Sequence, residues 1–518
     1  MSRLARTLVI GLDGATWDLL DPLFDGGHAP HLADLVAGSA RGELLATFPP
    51  VTAPSWTSFA TGLNPGRHGV FDFFDLDGDR YRKRVINLSR MREACLWDHV
   101  EQAGGRSVVM NLPTVYPAKT IAGICVSGML TPSGQPAFRP AWLQERLEPA
   151  LGRYEIDAPW PGGGAEALPQ YLDTTRTCVE TRGRWAKALL RAERWDLGVV
   201  VFVAPDRLQH KAWNSLRHGS GPGRVREAGL AVWRALDQAV AGLLEVAGSE
   251  CDVYLVSDHG FGGAARELEA NVALAQAGLL RRRPGALASV RATKLARHAL
   301  GPTSPRRGGQ GGVGESTTGR AFERLVDWPR TRAFMLSVTD MGIYVNTRGR
   351  FAQGIVEPGA ERESVVAEIQ EALGNLRDGT DRHAPLPMKT MRREDLFEGP
   401  RVSEAADLLF VADSGAIHCG TRADGPLIHD APFLRGDGNH RLEGIVTLRG
   451  ADITAGATIP EATILDLAPT ILERMGINLE ASLDGRALRP TGDGRALAPW
   501  EAGPKCRQAI LALGAQGP

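Results

Sequence analysis

Three short, continuous apolar runs stand out along the chain, and an aspartate follows each of them closely. The runs and their aspartates are 8–12 with Asp13, 197–203 with Asp206, and 252–256 with Asp258. Runs of this length are typical of strands that are buried in a parallel sheet. Because ligands collect at the carboxyl ends of parallel strands, the pattern predicts a carboxylate-lined site at one edge of the sheet.

Stretches with helical periodicity lie between and beyond these runs. They cover 171–194, 224–247, 359–376 and 464–475. The alternation of strands and helices predicts an α/β fold with a mostly parallel central sheet covered on both faces. We expect a single domain over 1–518, with a cap insertion at 120–190, since the stretch 116–164 is rich in Pro and Gly and lacks clear periodicity. A second insertion is expected at 281–405, beginning with a basic linker or lid.

The segment 47–70, TFPPVTAPSWTSFATGLNPGRHGV, places Thr52 on a proline-rich turn at the start of a predicted helix. Prolines restrict the backbone of the turn, and the helix N-terminus offers N–H groups and a positive dipole end to an anion. Thr52 could therefore be a nucleophile. A threonine that only caps the helix is the commoner explanation for such a position. The choice between nucleophile and cap therefore depends on the histidines and aspartates elsewhere in the chain.

Composition narrows the class of protein. The chain has 518 residues, of which 43% are hydrophobic and 23% charged, and its formal net charge is −1. This balance is typical of globular proteins and gives no general attraction to nucleic acid or anionic membrane. Six cysteines without CxxC spacing indicate reduced thiols. With no signal peptide or membrane span expected, we predict a cytoplasmic enzyme, and the abundance of Arg, Gly and Ala indicates a bacterial source.

Carboxylates and imidazoles recur at spacings that suit a metal centre. Asp206 and His210 are four residues apart, which places them on one face of a helix. Asp258 and His259 are adjacent on a turn after a strand, and His440 follows a flexible Asp-Gly-Asn sequence. Oxygen and nitrogen ligands without thiolate favour an open, catalytic zinc or manganese site. Each spacing also occurs by chance, so the hypothesis depends on their joint occurrence.

The order of these pieces resembles the alkaline phosphatase superfamily, in particular its type I phosphodiesterase/nucleotide pyrophosphatase branch and the related microbial phosphohydrolases or phosphomutases. The matching motifs are VIGLDG at 9–14, the 52–69 block ending in TGLNPGRHG, APDRLQH, VSDHGF and GNH. The resemblance covers most of the chain and is weak across 120–190 and 281–330. It implies an alkaline-phosphatase-like three-layer α/β/α sandwich with inserted cap segments.

Carried over position by position, the resemblance implies that Thr52 is the nucleophile and forms a phosphothreonine intermediate. It also implies two divalent metal ions, with zinc favoured and manganese as the alternative. The implied ligand sets are Asp13, Thr52, Asp258 and His259 for one ion, and Asp206, His210 and His440 for the other. Ser55 and Trp56 are candidate substrate-binding residues, and Ser55 stands where nucleotide pyrophosphatases have an asparagine that contacts phosphate.

We therefore expect a metal-dependent phosphoric ester hydrolase, of the phosphodiesterase or pyrophosphatase type, that acts on a small phosphate ester or nucleotide. A nucleic-acid polymer is not an expected substrate. A phosphomonoesterase or a phosphomutase of the same superfamily is the main alternative, although the mutases use a serine in place of Thr52. A sulfatase is disfavoured because Thr52 cannot become formylglycine and Trp56 replaces an arginine. A non-catalytic metal-binding scaffold is the last alternative.

The segment 281–307 contains eight Lys and Arg residues and no Asp or Glu. Such runs are most often solvated, so we expect a linker or lid. Peripheral contact with a membrane surface is the alternative. The natural substrate and the oligomeric state do not follow from the sequence.

Overall fold

The structure is a computed structural model, and it describes residues 4–79, 81–285, 322, 324–378, 384–433, 435–478, 483–499 and 503–515. Most of the basic segment expected at 281–307 lies outside these described residues. Its expected role as a lid or membrane contact therefore stays a prediction.

Strands and helices are numbered in chain order over the described residues. The strands are β1 (Thr7–Leu12), β2 (Ala40–Leu45), β3 (Phe74–Asp77), β4 (Arg82–Val85), β5 (Ser107–Leu112), β6 (Gly123–Ser127), β7 (Phe138–Arg139), β8 (Leu197–Phe202), β9 (Asp252–Val256), β10 (Gly260–Gly263), β11 (Arg266–Glu269), β12 (Ala333–Phe334), β13 (Gly342–Val345), β14 (Met388–Arg392), β15 (Leu408–Ala412), β16 (Ile417–Gly420), β17 (Ile428–Asp430), β18 (Gly438–Arg441), β19 (Glu443–Arg449), β20 (Thr458–Thr463), β21 (Leu488–Pro490) and β22 (Leu497–Pro499). The helices are α1 (Trp17–Asp25), α2 (Pro30–Ala37), α3 (Thr52–Thr61), α4 (Pro65–His68), α5 (Leu96–Gln102), α6 (Trp142–Leu151), α7 (Leu168–Ala192), α8 (Ala204–His218), α9 (Gly223–Ala247), α10 (Ala270–Gln276), α11 (Ala360–Gly374), α12 (Arg393–Leu396), α13 (Leu467–Arg474) and α14 (Lys505–Ala515).

Nine strands form a central sheet in the order β20-β2-β19-β9-β1-β8-β5-β6-β7. β1 lies in its middle and pairs in parallel with both β8 and β9. Antiparallel pairing occurs where β19 meets its neighbours and between β6 and β7. All residues of β1 and β8 are buried, as their continuous apolar sequences predict. The prediction of a mostly parallel α/β sheet is confirmed.

Each face of the central sheet is covered by its own hydrophobic cluster. Because side chains alternate along a strand, Leu8 and Ile10 of β1 face one cluster and Val9 faces the other. The first cluster contains residues of α7, α8 and α9, and the second contains residues of α3, α5 and α13. The result is the predicted three-layer arrangement.

The region expected as the second insertion, 281–405, contributes β12, β13 and β14 to a smaller sheet with the order β12-β13-β15-β14. Its buried residues belong to the same hydrophobic cluster that covers one face of the central sheet. The region 120–190 contributes β6 and β7 to the central sheet and also contains α6 and most of α7. The boundaries of a single domain with two insertions stay a prediction.

Arg507 and Asp466 form an ion pair that is almost completely removed from solvent. Arg507 Nε lies 2.8 Å from Asp466 Oδ1, and the two side chains are 1% and 0% exposed. The same carboxylate accepts hydrogen bonds from the backbone N–H groups of Thr463 and Arg486. The pair therefore joins α14 to the turn that precedes α13.

We expect Arg507→Met to lower the free energy of unfolding by about 3–5 kcal/mol, because it leaves a buried carboxylate without its counter-ion. Urea unfolding followed by circular dichroism measures this loss. The control is Arg489→Met, whose ion pair with Glu473 is about half exposed, and we expect a loss of about 1 kcal/mol or less there. Equal losses in the two variants would contradict the prediction.

Candidate active site

Three neighbouring strands of the central sheet place three aspartates at one edge. Asp13 directly follows β1, Asp206 lies in the first turn of α8 after β8, and Asp258 follows β9 by two residues. Their side chains are buried, with exposures of 1%, 4% and 0%. The structure therefore brings together the three carboxylates that the apolar runs indicated.

Asp13, Asp258 and His259 form one cluster of possible metal ligands, with their ligand atoms within 4.8 Å of one another. His259 Nε2 lies 3.6 Å from Asp13 Oδ1 and 3.4 Å from Asp258 Oδ2. His259 Nδ1 donates to the carbonyl oxygen of Gly260, so Nε2 carries the lone pair of the neutral ring. Thr52 Oγ1 lies 3.2 Å from the same Nε2 atom.

Asp206, His210 and His440 form a second cluster. His210 Nδ1 and His440 Nδ1 donate to the carbonyl oxygens of Gly438 and Pro50. The two Nε2 lone pairs of the neutral rings therefore point at each other across 3.1 Å. They also converge on Asp206 Oδ1, at 3.3 and 3.1 Å. Three acceptors that meet in this way require a cation between them.

The two clusters adjoin, because the rings of His259 and His440 stack with centroids 3.7 Å apart. Burial, and then the charge of Asp206, raises the pKa of the Asp13 carboxyl well above its usual range. Burial and the charge of Asp13 do the same to the pKa of Asp258. Like charges this close and this dry cannot all ionise without positive charge among them.

The residues present fit divalent metal ions. Asp13 Oδ1 and Asp258 Oδ2 are buried and have no hydrogen-bond partner among the described residues. These are the two carboxylate oxygens that lie beside His259 Nε2, and leaving them unsatisfied would be costly. Carboxylate oxygens, imidazole nitrogens and one hydroxyl form the donor set of open zinc and manganese sites.

A third group of possible ligands, Glu267, Glu269 and His429, lies on the sheet β16-β11-β17. Arg435 Nε lies 2.6 Å from Glu267 Oε1. Glu269 accepts from the backbone N–H of Arg422 and lies 3.0 Å from His429 Nε2. The protein's own basic groups satisfy these carboxylates, so this group is a salt-bridge network and not a candidate metal centre.

A family model for type I phosphodiesterase/nucleotide pyrophosphatase matches residues 7–436. The chain belongs to this family. Phosphonoacetate hydrolase from Sinorhizobium meliloti 1021 is similar in structure, with a TM-score of 0.53, 14% identity, and coverage of 92% of this chain and 96% of that chain. Murine ectonucleotide pyrophosphatase/phosphodiesterase 5 has a TM-score of 0.50, 12% identity, and coverage of 92% and 97%. At these identities the likeness shows the fold. A comparison with curated proteins found no match.

Membership of the phosphodiesterase family confirms the resemblance, and with it an enzyme of the phosphoric ester hydrolase class. The alkaline-phosphatase-like fold is also confirmed. The family is metal-dependent, and the two clusters are the candidate positions for metal. The family match ends four residues before His440, so the role of that histidine depends on the geometry described above. None of the described helices has the length and hydrophobicity of a membrane span, and the cytoplasmic location stays a prediction.

Ser55 and Trp56 make contacts below the surface of the site. Ser55 Oγ shares a hydrogen bond of 2.8 Å with Thr47 Oγ1, and Trp56 Nε1 donates to Asp13 Oδ2 across 3.1 Å. Both side chains are fully buried. The indole also packs so closely on Gly11 that a Cβ there would lie 2.6 Å from it. Substrate binding by these two residues stays a prediction; of the contacts observed, the one from Trp56 holds the Asp13 carboxylate in place.

Two residues that the sequence reasoning did not single out contact the site from α8. Arg207 Nη1 lies 3.5 Å from Asp206 Oδ2. Gln209 Nε2 donates to the carbonyl oxygens of Gly14 and Pro205, which fixes the turn after β1. Both residues lie inside the APDRLQH motif, next to the predicted ligands Asp206 and His210, and this proximity in sequence could have indicated them.

We expect Trp56→Phe to weaken metal binding about 10–100-fold, because it removes the hydrogen bond that orients Asp13 while keeping an aromatic ring. Competition against a chromogenic chelator measures the affinity. The control is Trp97→Phe on α5, since Trp97 is equally buried and its Nε1 has no partner among the described residues. Equal effects in the two variants, or none in Trp56→Phe, would contradict the prediction.

Proposed function

We propose that the protein is a phosphodiesterase that transfers a phosphoryl group from a small phosphate ester or nucleotide first to Thr52 and then to water. The observation that carries this proposal is the position of the Thr52 hydroxyl, 3.2 Å from His259 Nε2 and at the meeting point of α3 with the first ligand cluster. Membership of the phosphodiesterase family supports the reaction class.

The local structure of α3 favours a nucleophile over a capping threonine. The residue in the capping position is Val51, and no side chain makes a cap hydrogen bond there. Thr52 is the first residue of the helix, and its hydroxyl is directed to His259. Phosphoryl oxygens bound beside Thr52 would lie near the positive end of the helix dipole. These features support a hydroxyl positioned for reaction.

We infer two bound divalent ions, zinc by preference and manganese as the alternative. Asp13, Thr52, Asp258 and His259 would hold one ion, and Asp206, His210 and His440 would hold the other. When bound, such ions supply Lewis-acid activation of an oxygen nucleophile and neutralise phosphoryl charge. Three aspartates and a Thr52 alkoxide together carry four negative charges, which balance two divalent ions.

The chain's own groups then account for the covalent course. Thr52 gives its hydroxyl proton to solvent, its Oγ1 forms a bond to phosphorus as the bond to the leaving alkoxide breaks, and the leaving oxygen takes a proton from solvent. Water then attacks the phosphothreonine, which restores the Thr52 hydroxyl and releases a phosphomonoester. Asp13, held by Trp56, and the histidines, held by backbone carbonyls, keep the ligand atoms fixed throughout.

We expect Thr52→Ala to lower the turnover of bis-p-nitrophenyl phosphate about 1,000-fold or more, because no other hydroxyl takes the place of the nucleophile. Thr52→Ser should keep measurable activity. The control is Thr61→Ala on the same helix, whose hydroxyl bonds the carbonyl oxygen of Thr57. Equal turnover by the wild-type protein and Thr52→Ala would refute the mechanism, and a strong preference for p-nitrophenyl phosphate would refute the diesterase assignment.

We expect His210→Ala and His440→Ala to lose the same one of two metal ions, because both side chains belong to the second cluster. His259→Ala should lose the other ion. Metal content after dialysis, measured by mass spectrometry, should fall from about two ions to about one in each single variant. The control is His31→Ala, a histidine that is 43% exposed and pairs with Asp237. Full metal content in both His210→Ala and His440→Ala would refute this partition of ligands.

A further inference from the structure

α8, the helix that carries Asp206 and His210, is interrupted at Ala212. This residue has a φ of −140° and a ψ of 22°, which lie outside the helical range, so the helix has a first part with the two candidate ligands and a short second part. The first N–H groups of a helix need acceptors from outside it. Breaks of this kind are found where a side chain inserts into the hydrogen-bond ladder of a helix.

Asp437 inserts at this break from a distant part of the chain. Its Oδ1 accepts from the backbone N–H of Trp213 across 2.9 Å, and its Oδ2 accepts from the backbone N–H of Asn214 across 3.1 Å. Its own backbone N–H donates to the carbonyl oxygen of His210 across 3.0 Å. Asp437 therefore satisfies backbone groups on both sides of the break, as a capping residue does at the end of a helix.

The glycines on either side of Asp437 let the chain lie directly against α8. A Cβ on Gly436, whose φ is +84°, would lie 1.6 Å from the carbonyl oxygen of His210. A Cβ on Gly438 would lie 2.4 Å from the carbonyl oxygen of Gln209. A side chain at either position would push this three-residue segment away from the helix to which the Asp437 carboxylate bonds it.

The same segment sets the position of both histidines of the second ligand cluster. The carbonyl oxygen of Gly438 accepts from His210 Nδ1 across 3.0 Å, and the other ring nitrogen of His210 lies 3.3 Å from Asp206 Oδ1. β18 begins at Gly438 and pairs with β10 so that His440 lies opposite Phe261. A shift of Gly438 along α8 would therefore move both imidazoles.

We propose that Asp437 is a positioning residue for the second ligand cluster, and that it holds the imidazoles of His210 and His440 toward Asp206 through the break in α8. The proposal rests on the proposed function, because it concerns the ligands inferred there for one metal ion. Both carboxylate oxygens of Asp437 are engaged by the helix, so it acts through the backbone and not as a ligand. A helix cap without this role would contribute to folding stability alone.

The first test is NMR of the histidine ring nitrogens in the metal-free protein, with His210→Gln identifying the signals of His210. In the wild-type protein we expect the Nδ1–H tautomer of His210, because Nδ1 donates to Gly438. Asp437→Ala should give a mixture of both tautomers at His210. It should leave the Nδ1–H tautomer at His259, which donates to Gly260. Asp437→Asn keeps an acceptor for one of the two N–H groups and should cause a smaller change.

The second test is competition for zinc against a chromogenic chelator. We expect Asp437→Ala to weaken the binding of one of two ions about 10–100-fold, and of the other less than about threefold. The control is Asp98→Ala, because Asp98 accepts from the backbone N–H of Cys95 at the start of α5, across 3.0 Å, and α5 carries no candidate ligand. This variant should change neither the two affinities nor the His210 tautomer.

An unchanged His210 tautomer in Asp437→Ala, or equal effects on the two ions, would overturn the positioning role. The same changes in Asp98→Ala would also overturn it. If Asp437→Ala does not fold, Asp437→Asn is judged by the same outcomes. Failure of the proposed function is separate, because the wild-type protein would then bind no metal or would not turn over bis-p-nitrophenyl phosphate. The tautomer comparison requires neither metal nor substrate, so it decides the role of Asp437 in that event.

Discussion

The electrostatic cost of three buried carboxylates at neighbouring strand ends is the constraint on which the rest of the structure depends. Asp13, Asp206 and Asp258 are placed together by the order β9-β1-β8. Burial raises the pKa of Asp13 and Asp258, whereas burial of Asp206 is outweighed by His210 and His440, which hold its pKa well below the usual range. Arg207 is the one arginine or lysine side chain paired with these carboxylates among the described residues, at 3.5 Å from Asp206 Oδ2. Asp13 Oδ1 and Asp258 Oδ2 have no hydrogen-bond partner there, and they lie beside His259 Nε2, where we propose a metal ion.

The histidine rings and the Asp13 carboxylate at this site are held by neighbouring groups and have little freedom to rearrange. The Nδ1 atom of each of the three histidines donates to a backbone carbonyl, so the Nε2 lone pairs are set by the main chain. Asp13 is held by an indole that is itself packed against β1. With this support, the ligand atoms keep their positions without metal, and the buried carboxylates then repel one another. With metal bound as proposed, metal affinity and folding stability would be coupled here.

The pattern of apolar runs was sufficient to predict the part of the candidate site that is built on the central sheet. Apolar runs predict buried parallel strands, and parallel strands bring Asp13, Asp206 and Asp258 to one edge whatever the loops do. His440 was different, because its approach depends on the antiparallel pairing of β18 with β10 across a long stretch of sequence, and only the order of motifs indicated it. The sequence did not indicate the contacts of Trp56, whose ring packs on Gly11 and donates to Asp13, and substrate binding by Trp56 stays a prediction.

The segment around Asp157 and Trp160 could not be predicted, because it has no periodicity and its position depends on contacts with α8. These contacts give it a role that is physically separate from the metal ligands. Arg207 touches Asp206 at 3.5 Å and Asp157 at 2.9 Å, so the stronger ion pair holds the segment and the weaker one faces the centre. Asp206 itself is fixed by the turn after β8 and by Gln209, which bridges Pro205 and Gly14. The 157–160 segment and the carboxylate of Asp206 are therefore held by different contacts.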